Sequence, residues 1–154
     1  MFGKRVAEYL AFQKVWLWLT VAVGLARLGA SLAGGSDQGV RWLSMNLVIW
    51  AGAVYYGIAV HRSGFGGYRQ ILPLVTFQVA ILHVIAVAGI ALSVFGFPNI
   101  FAAPEYAGPA ADRQGLHALS HLTIGMVAAP LVLWAIGSIA MWLARRFDPR
   151  PALA

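Results

Sequence analysis

The sequence predicts an all-α integral membrane protein, a four-helix bundle with both termini on the cytoplasmic side and a longer proline-rich outer loop between helices 3 and 4. Three observations carry that expectation. Hydrophobic residues fill 60% of the 154 positions and charged residues only 10%, against about 25% charged in an ordinary soluble domain. Four stretches, residues 14–33, 42–60, 71–95 and 116–143, stay apolar over the roughly 20 residues that a helix needs to cross about 30 Å of hydrocarbon. The basic residues are also segregated. Lys4, Arg5, Lys14, Arg62, Arg69, Arg145, Arg146 and Arg150 fall on one side of the spans, and Arg41 and Arg113 fall on the other with Asp37, Glu105 and Asp112.

By the positive-inside rule the first side is cytoplasmic, as in a bacterial-type inner membrane. The whole chain, residues 1–154, reads as a single transmembrane domain. Its net charge of +6 is accounted for by anionic lipid headgroups and calls for no nucleic-acid partner. With no cysteine in the chain, disulfides, thiol redox chemistry, iron–sulfur clusters and covalently attached c-type haem are excluded. Chemistry must come from His, Arg, carboxylates, amides or aromatic rings.

The first span follows "KR" and ends in "SLAGG", which resembles a signal-peptide cleavage site; Arg27 inside the run argues for an uncleaved span. A short "GGSDQG" turn leads to the second span, and "HRSGFGGYRQ" leads to the third. That inner turn lacks the GK[ST] of a phosphate loop. The outer loop "GFPNIFAAPEYAGPAADRQG" carries prolines that block regular structure. Its aromatic residues make it too apolar for a free linker, so it is expected to fold over the outer mouth of the bundle or to dock another subunit. The fourth span opens on "HALSH" and contains Pro130, which frees the carbonyl of Met126 and predicts a kink.

Counting about 1.5 Å per residue from each basic anchor places Arg27 roughly 20 Å, Asn46 roughly 24 Å and His83 roughly 21 Å into their helices. Three polar groups on three helices thus share one level, with the Met126 carbonyl close to it and Trp50 and Trp134 just beneath. The expectation is a buried polar layer of Arg27, Asn46, His83 and the Met126 carbonyl with Trp50 as an aromatic floor. Thr20, Gly24, Arg27 and Ser31 follow steps of four, three and four, and Asn46, Trp50, Ala53 and Gly57 do the same on the second helix. Small residues at this spacing also let membrane helices pack closely.

Arg27 is the most informative residue, because a charge at a helix centre costs about 2.5 to 3.5 kcal/mol on insertion scales. None of the five acids lies within a span. Its guanidinium can snorkel to lipid phosphate, be satisfied by Asn46, the Met126 carbonyl and Trp50, or hold an anionic or carbonyl-bearing ligand. His83 reads as an interhelical hydrogen-bonding group or a ligand-binding imidazole. As a haem ligand it needs an axial partner, and His121, the only candidate, comes out roughly 15 Å too high by the same count. Gln78, on another face of the third helix, requires either a central position for that helix or contact with another subunit.

His117 and His121 stand one turn apart on one face, the spacing of a zinc-protease chelate, but "HALSH" lacks that motif's glutamate. With Glu105 or Asp112 they would form a set suited to a divalent transition metal. The alternative is a wetted helix end.

Two classes of function follow. In one, Arg27, Asn46, Trp50 and His83 bind a hydrophobic cofactor, a quinone or haem b, as part of a membrane redox complex. In the other, the chain is a non-catalytic accessory or assembly subunit, or a metal-binding protein using His117, His121 and Glu105. Its partners are the lipid bilayer and either other membrane subunits or further copies of itself. No residue set points to an independent enzyme.

Overall fold

The computed structural model describes residues 1–102 and 111–148, the side chains of Asp37, Ala111 and Asp112 excepted. The helices are α1 (Val6–Leu32), α2 (Asp37–Val40), α3 (Met45–Ser63), α4 (Tyr68–Val94), α5 (Ala111–Ser120) and α6 (Met126–Phe147), with a π-helical turn, His121–Gly125, joining α5 to α6. No strand occurs among the described residues. Four rods, Val6–Leu32, Gln38–Ser63, Tyr68–Val94 and Arg113–Phe147, are long and apolar enough to cross a membrane. They alternate in direction. Met1, the α3–α4 turn and Asp148 gather at one end, where the Gln70 amide donates to the Phe2 carbonyl at 2.8 Å and Arg62 meets Asp148 at 3.2 Å; this is called the terminal end, and the opposite one the loop end.

Local chemistry sets the boundaries. The carboxylate of Glu8 accepts the Arg5 N–H at 2.8 Å and places negative charge at the positive end of the α1 dipole. The helix therefore begins ahead of the apolar window, and Lys14 lies inside it. Its buried face runs through Tyr9, Gln13, Thr20, Gly24 and Leu28, so the same stripe that holds Gly24 and Arg27 extends back past Lys14. Ser36 caps α2 by accepting Gly39 N–H, and Ser44 caps α3 by accepting Leu47 N–H. Gly64, at φ +67°, ends α3 in the left-handed conformation that glycine adopts without strain.

The central helix is α4. Just over half of its most apolar window, 56%, is buried inside the chain, against 11% for α1. Gln78 is fully buried at the bundle centre, its amide donating to Thr20 Oγ1 at 3.0 Å, which decides between the two positions open to the third helix. The hydrophobic core includes Tyr9, Tyr56, Ile71, Leu74, Val75 and Met141.

The α6 helix lies tightly against α3 and α4 because of two glycines. A Cβ on Gly57 would collide with the Gly137 carbonyl, and one on Gly137 would come within 2.9 Å of the Ala53 carbonyl and 2.8 Å of the Ile71 side chain. Backbone meets backbone there, as small residues allow between membrane helices. Gly57→Ala should lower the thermal-unfolding midpoint in detergent, with a cost of about 1–3 kcal/mol for overpacking. Gly29→Ala, where an added Cβ meets nothing within 4 Å, should not lower it.

Candidate functional site

The polar residues of the loop-end half come together through the contact between α4 and the π turn. On α4, His83 is only 5% exposed. Its Nδ1 lies 3.0 Å from the Val79 carbonyl one turn back. A carbonyl can only accept, so Nδ1 carries the proton, which in a neutral ring makes Nε2 the lone-pair nitrogen. The Nε2 edge lies against Gly125, where an added Cβ would overlap the imidazole. That glycine closes the π turn, and its lack of a side chain is what gives the ring its place.

One helical turn earlier on the same rod stands His121. Its ring centroid is 5.1 Å from that of His83, at an interplanar angle of 76°. Its own Nε2 is 3.2 Å from Nε2 of His117, and those two rings are 4.9 Å apart. Three imidazoles thus form a row from the buried face of α4 to the half-buried start of the fourth rod.

This corrects the separation of roughly 15 Å obtained from the basic anchors. The count assumes that Arg69 and Arg145 lie at one depth. They do not: Gly137 faces Ile71 and Gly125 faces His83, so Arg69 is level with about residue 139 and Arg145 lies roughly 9 Å further toward the terminal end. The fourth rod is displaced in that direction and carries His121 down to His83. An irregularity besides Pro130, the π turn itself, adds a residue ahead of the proline and reorients the chain between His121 and Gly125.

Beside the histidine row is a cavity of about 180 Å³ lined by Arg27, Met45, Asn46, Leu82, Ala86, Phe101 and His121. Arg27 reaches toward the loop end, its Nη1 donating to the Leu43 carbonyl at 3.1 Å. Gly24, one turn below, has Met45 and Ile85 against it, so α1 approaches α3 and α4 closely at this level. Phe101 lies against Gly89 of α4. Its segment is held by the Asn99 amide donating to the Gly89 carbonyl at 2.7 Å and by Ile100 N–H donating to Ser31 Oγ at 2.8 Å.

Of the expected buried layer, Arg27 and Asn46 share a cavity, and the imidazole that lines it with them is His121; the layer is not buried, however, since Asn46 is exposed and Arg27 and His121 are half-buried. His83 stands behind His121. Trp50 is 51% exposed on α3 and does not line the cavity. Trp134 lies nearer the terminal end, donating its indole N–H to the Tyr68 carbonyl at 2.8 Å. Glu105 lies outside the described residues. Among the described residues, no group of three or more His, Cys, Asp or Glu side chains is arranged to hold one metal ion.

A second polar region, in the terminal half, joins Thr20 and Gln78, both singled out in the sequence, to Gln13 and Tyr56, which are not. Gln13, Thr20, Tyr56 and Gln78 are all fully buried. Thr20 donates to the Trp16 carbonyl at 2.8 Å and accepts from Gln78 at 3.0 Å, while both amide atoms of Gln13, the Tyr56 hydroxyl and Gln78 Oε1 have no hydrogen-bond partner among the described residues. The signal was present: Gln13 lies seven residues before Thr20 on one helical face, but beginning the span at Lys14 hid it.

No known protein family, curated protein or solved structure matches the chain.

Proposed function

We propose that this small multi-pass membrane protein binds a single hydrogen-bond-accepting ring of the quinone-headgroup type in the cavity between α1, α3, α4 and the π turn of the fourth rod. One observation carries the reading. Arg27, Asn46 and His121, from three separate rods, line one small space whose other walls are Met45, Leu82, Ala86 and Phe101. Donors from different helices inside an apolar wall are what a carbonyl-bearing ring requires: the donors fix its oxygens and the walls hold its faces.

Size favours a quinone over haem b. At about 180 Å³ the cavity is below the roughly 300–1,000 Å³ of pockets for drug-sized ligands, and a porphyrin needs far more. The edge-to-face contact of His83 and His121 at 5.1 Å also leaves no slot for a macrocycle between two axial imidazoles. In the membrane, the quinone tail would leave between the rods into lipid. The protein would serve a membrane redox complex as a binding subunit. Gln78, buried at the bundle centre, offers no face for a partner.

Titration of the detergent-solubilised protein with a short-chain quinone should give saturable quenching of tryptophan fluorescence. Arg27→Gln and His121→Gln should each weaken binding about tenfold or more, the order expected when a hydrogen bond to a charged or buried polar group is lost. Equal affinity in wild type and both variants, or no saturable binding at all, would remove the reading and leave the accessory-subunit alternative.

From the distribution of basic residues we further propose that the terminal end faces the cytoplasm, as in a bacterial-type inner membrane. The cysteine-free chain allows a direct check. Ser36→Cys, at the loop end, should react with a membrane-impermeant maleimide added to intact spheroplasts, and Ser63→Cys only after permeabilisation. The opposite pattern would reverse the topology.

A further inference from the structure

We infer that the groove between α3 and α6 at the terminal end is a site for one anionic phospholipid, with an acyl chain laid along the groove and the headgroup phosphate on Arg62. The groove has a volume of about 310 Å³. Val54 and Ile58 on α3 and Ala140, Leu143, Ala144 and Phe147 on α6 form its apolar walls, and Arg62 and Asp148 stand at its terminal end. The second and fourth rods run in the same direction, so the steps of four from Val54 to Arg62 and from Ala140 to Asp148 lie side by side for about 12 Å. Ala140 and Ala144 keep the floor low between the exposed side chains of Val54 on one edge and of Leu143 and Phe147 on the other.

Walls and end together define the occupant. Apolar walls accept a hydrocarbon chain, and Arg62 lies at the end of the spanning rod Gln38–Ser63, beside the end of Arg113–Phe147, the level at which a chain in lipid meets its phosphate. Free phosphate does not fill the walls, and a hydrocarbon does not satisfy the guanidinium; a phospholipid does both. Arg62 meets Asp148 through Nε at 3.2 Å, with both side chains more than half exposed. An exposed pair of this kind contributes little. The guanidinium keeps further N–H donors on its Nη atoms, in a fork that matches phosphate. Charge then selects among phospholipids. Arg145 and Arg146 in the last turn of α6 join Arg62 and exceed the charge of Asp148, and basic groups between spans at a membrane face attract anionic headgroups. The site is separate from the ring-binding cavity, which lies toward the loop end.

The test is native mass spectrometry of delipidated protein in detergent, titrated with dioleoyl phosphatidylglycerol or dioleoyl phosphatidylcholine. Wild type should bind one phosphatidylglycerol about fivefold or more tightly than phosphatidylcholine. Arg62→Gln should weaken phosphatidylglycerol binding about tenfold, the order expected when a hydrogen bond between charged groups is lost. Arg69→Gln, which removes an equal charge from α4 at the same end, should bind as wild type does. Ala144→Phe, which fills the groove and keeps every charge, should weaken binding of both lipids. Glycerophosphate, a headgroup without chains, should not displace the bound lipid. Thermal unfolding without lipid shows which variants are folded. A loss in folded Arg62→Gln no greater than in Arg69→Gln, or equal affinity of wild type for the two lipids, would leave only diffuse attraction and overturn the headgroup site. Unchanged binding in folded Ala144→Phe, or displacement by glycerophosphate, would overturn the seating of the chain.

Discussion

The register between α4 and the fourth rod governs this structure. On α4, Ile71 and His83 are separated by the same number of residues as Gly137 and Gly125 on the opposing rod, and each glycine lies against its partner. Two antiparallel helices touching at both points over about 18 Å have little freedom to slide. A residue larger than glycine at either point would force the rods apart. The central place of α4, the close approach of α6 to α3 at Gly57 and the row of three imidazoles all follow from that pairing.

The attachment of α1 has a different basis. Little of it is buried, so extensive packing does not hold it. Gly24 lets it approach Met45 and Ile85, and its Thr20 and Arg27 hydrogen-bond to Gln78 and to the Leu43 carbonyl. Interhelical hydrogen bonds in membranes contribute about 0.6–2 kcal/mol each, enough to fix the rotation of a helix that would otherwise slide on an apolar surface. The same rotation turns Arg27 toward the cavity. Stability and the site therefore depend on one stripe of α1.

The four rods were legible from the lengths of the apolar runs, because the hydrocarbon thickness leaves few other solutions for such a chain. The shared level of Arg27 and Asn46 was legible too, since α1 and α3 are uninterrupted helices and a constant rise applies along each. The depth count failed on the fourth rod for a physical reason. Its basic residues, Arg145 and Arg146, extend beyond the level of Arg69, and α6 continues to Phe147, where Asp148 meets Arg62 and the ring of His61. A basic residue marks where a helix can leave the lipid, not the depth at which it does so. Nor could single-helix periodicity show that Trp50 faces away from the cavity or that a π turn precedes Pro130.

The most direct measurement is a magic-angle-spinning NMR correlation on histidine-labelled protein in lipid, seeking through-space contact between the imidazoles of His83 and His121. With the register described here the rings are 5.1 Å apart, and a cross-peak is predicted that disappears when either residue is changed to glutamine. Absence of that cross-peak, with both rings otherwise resolved and the protein folded, would contradict the register and with it the placement of every loop-end residue.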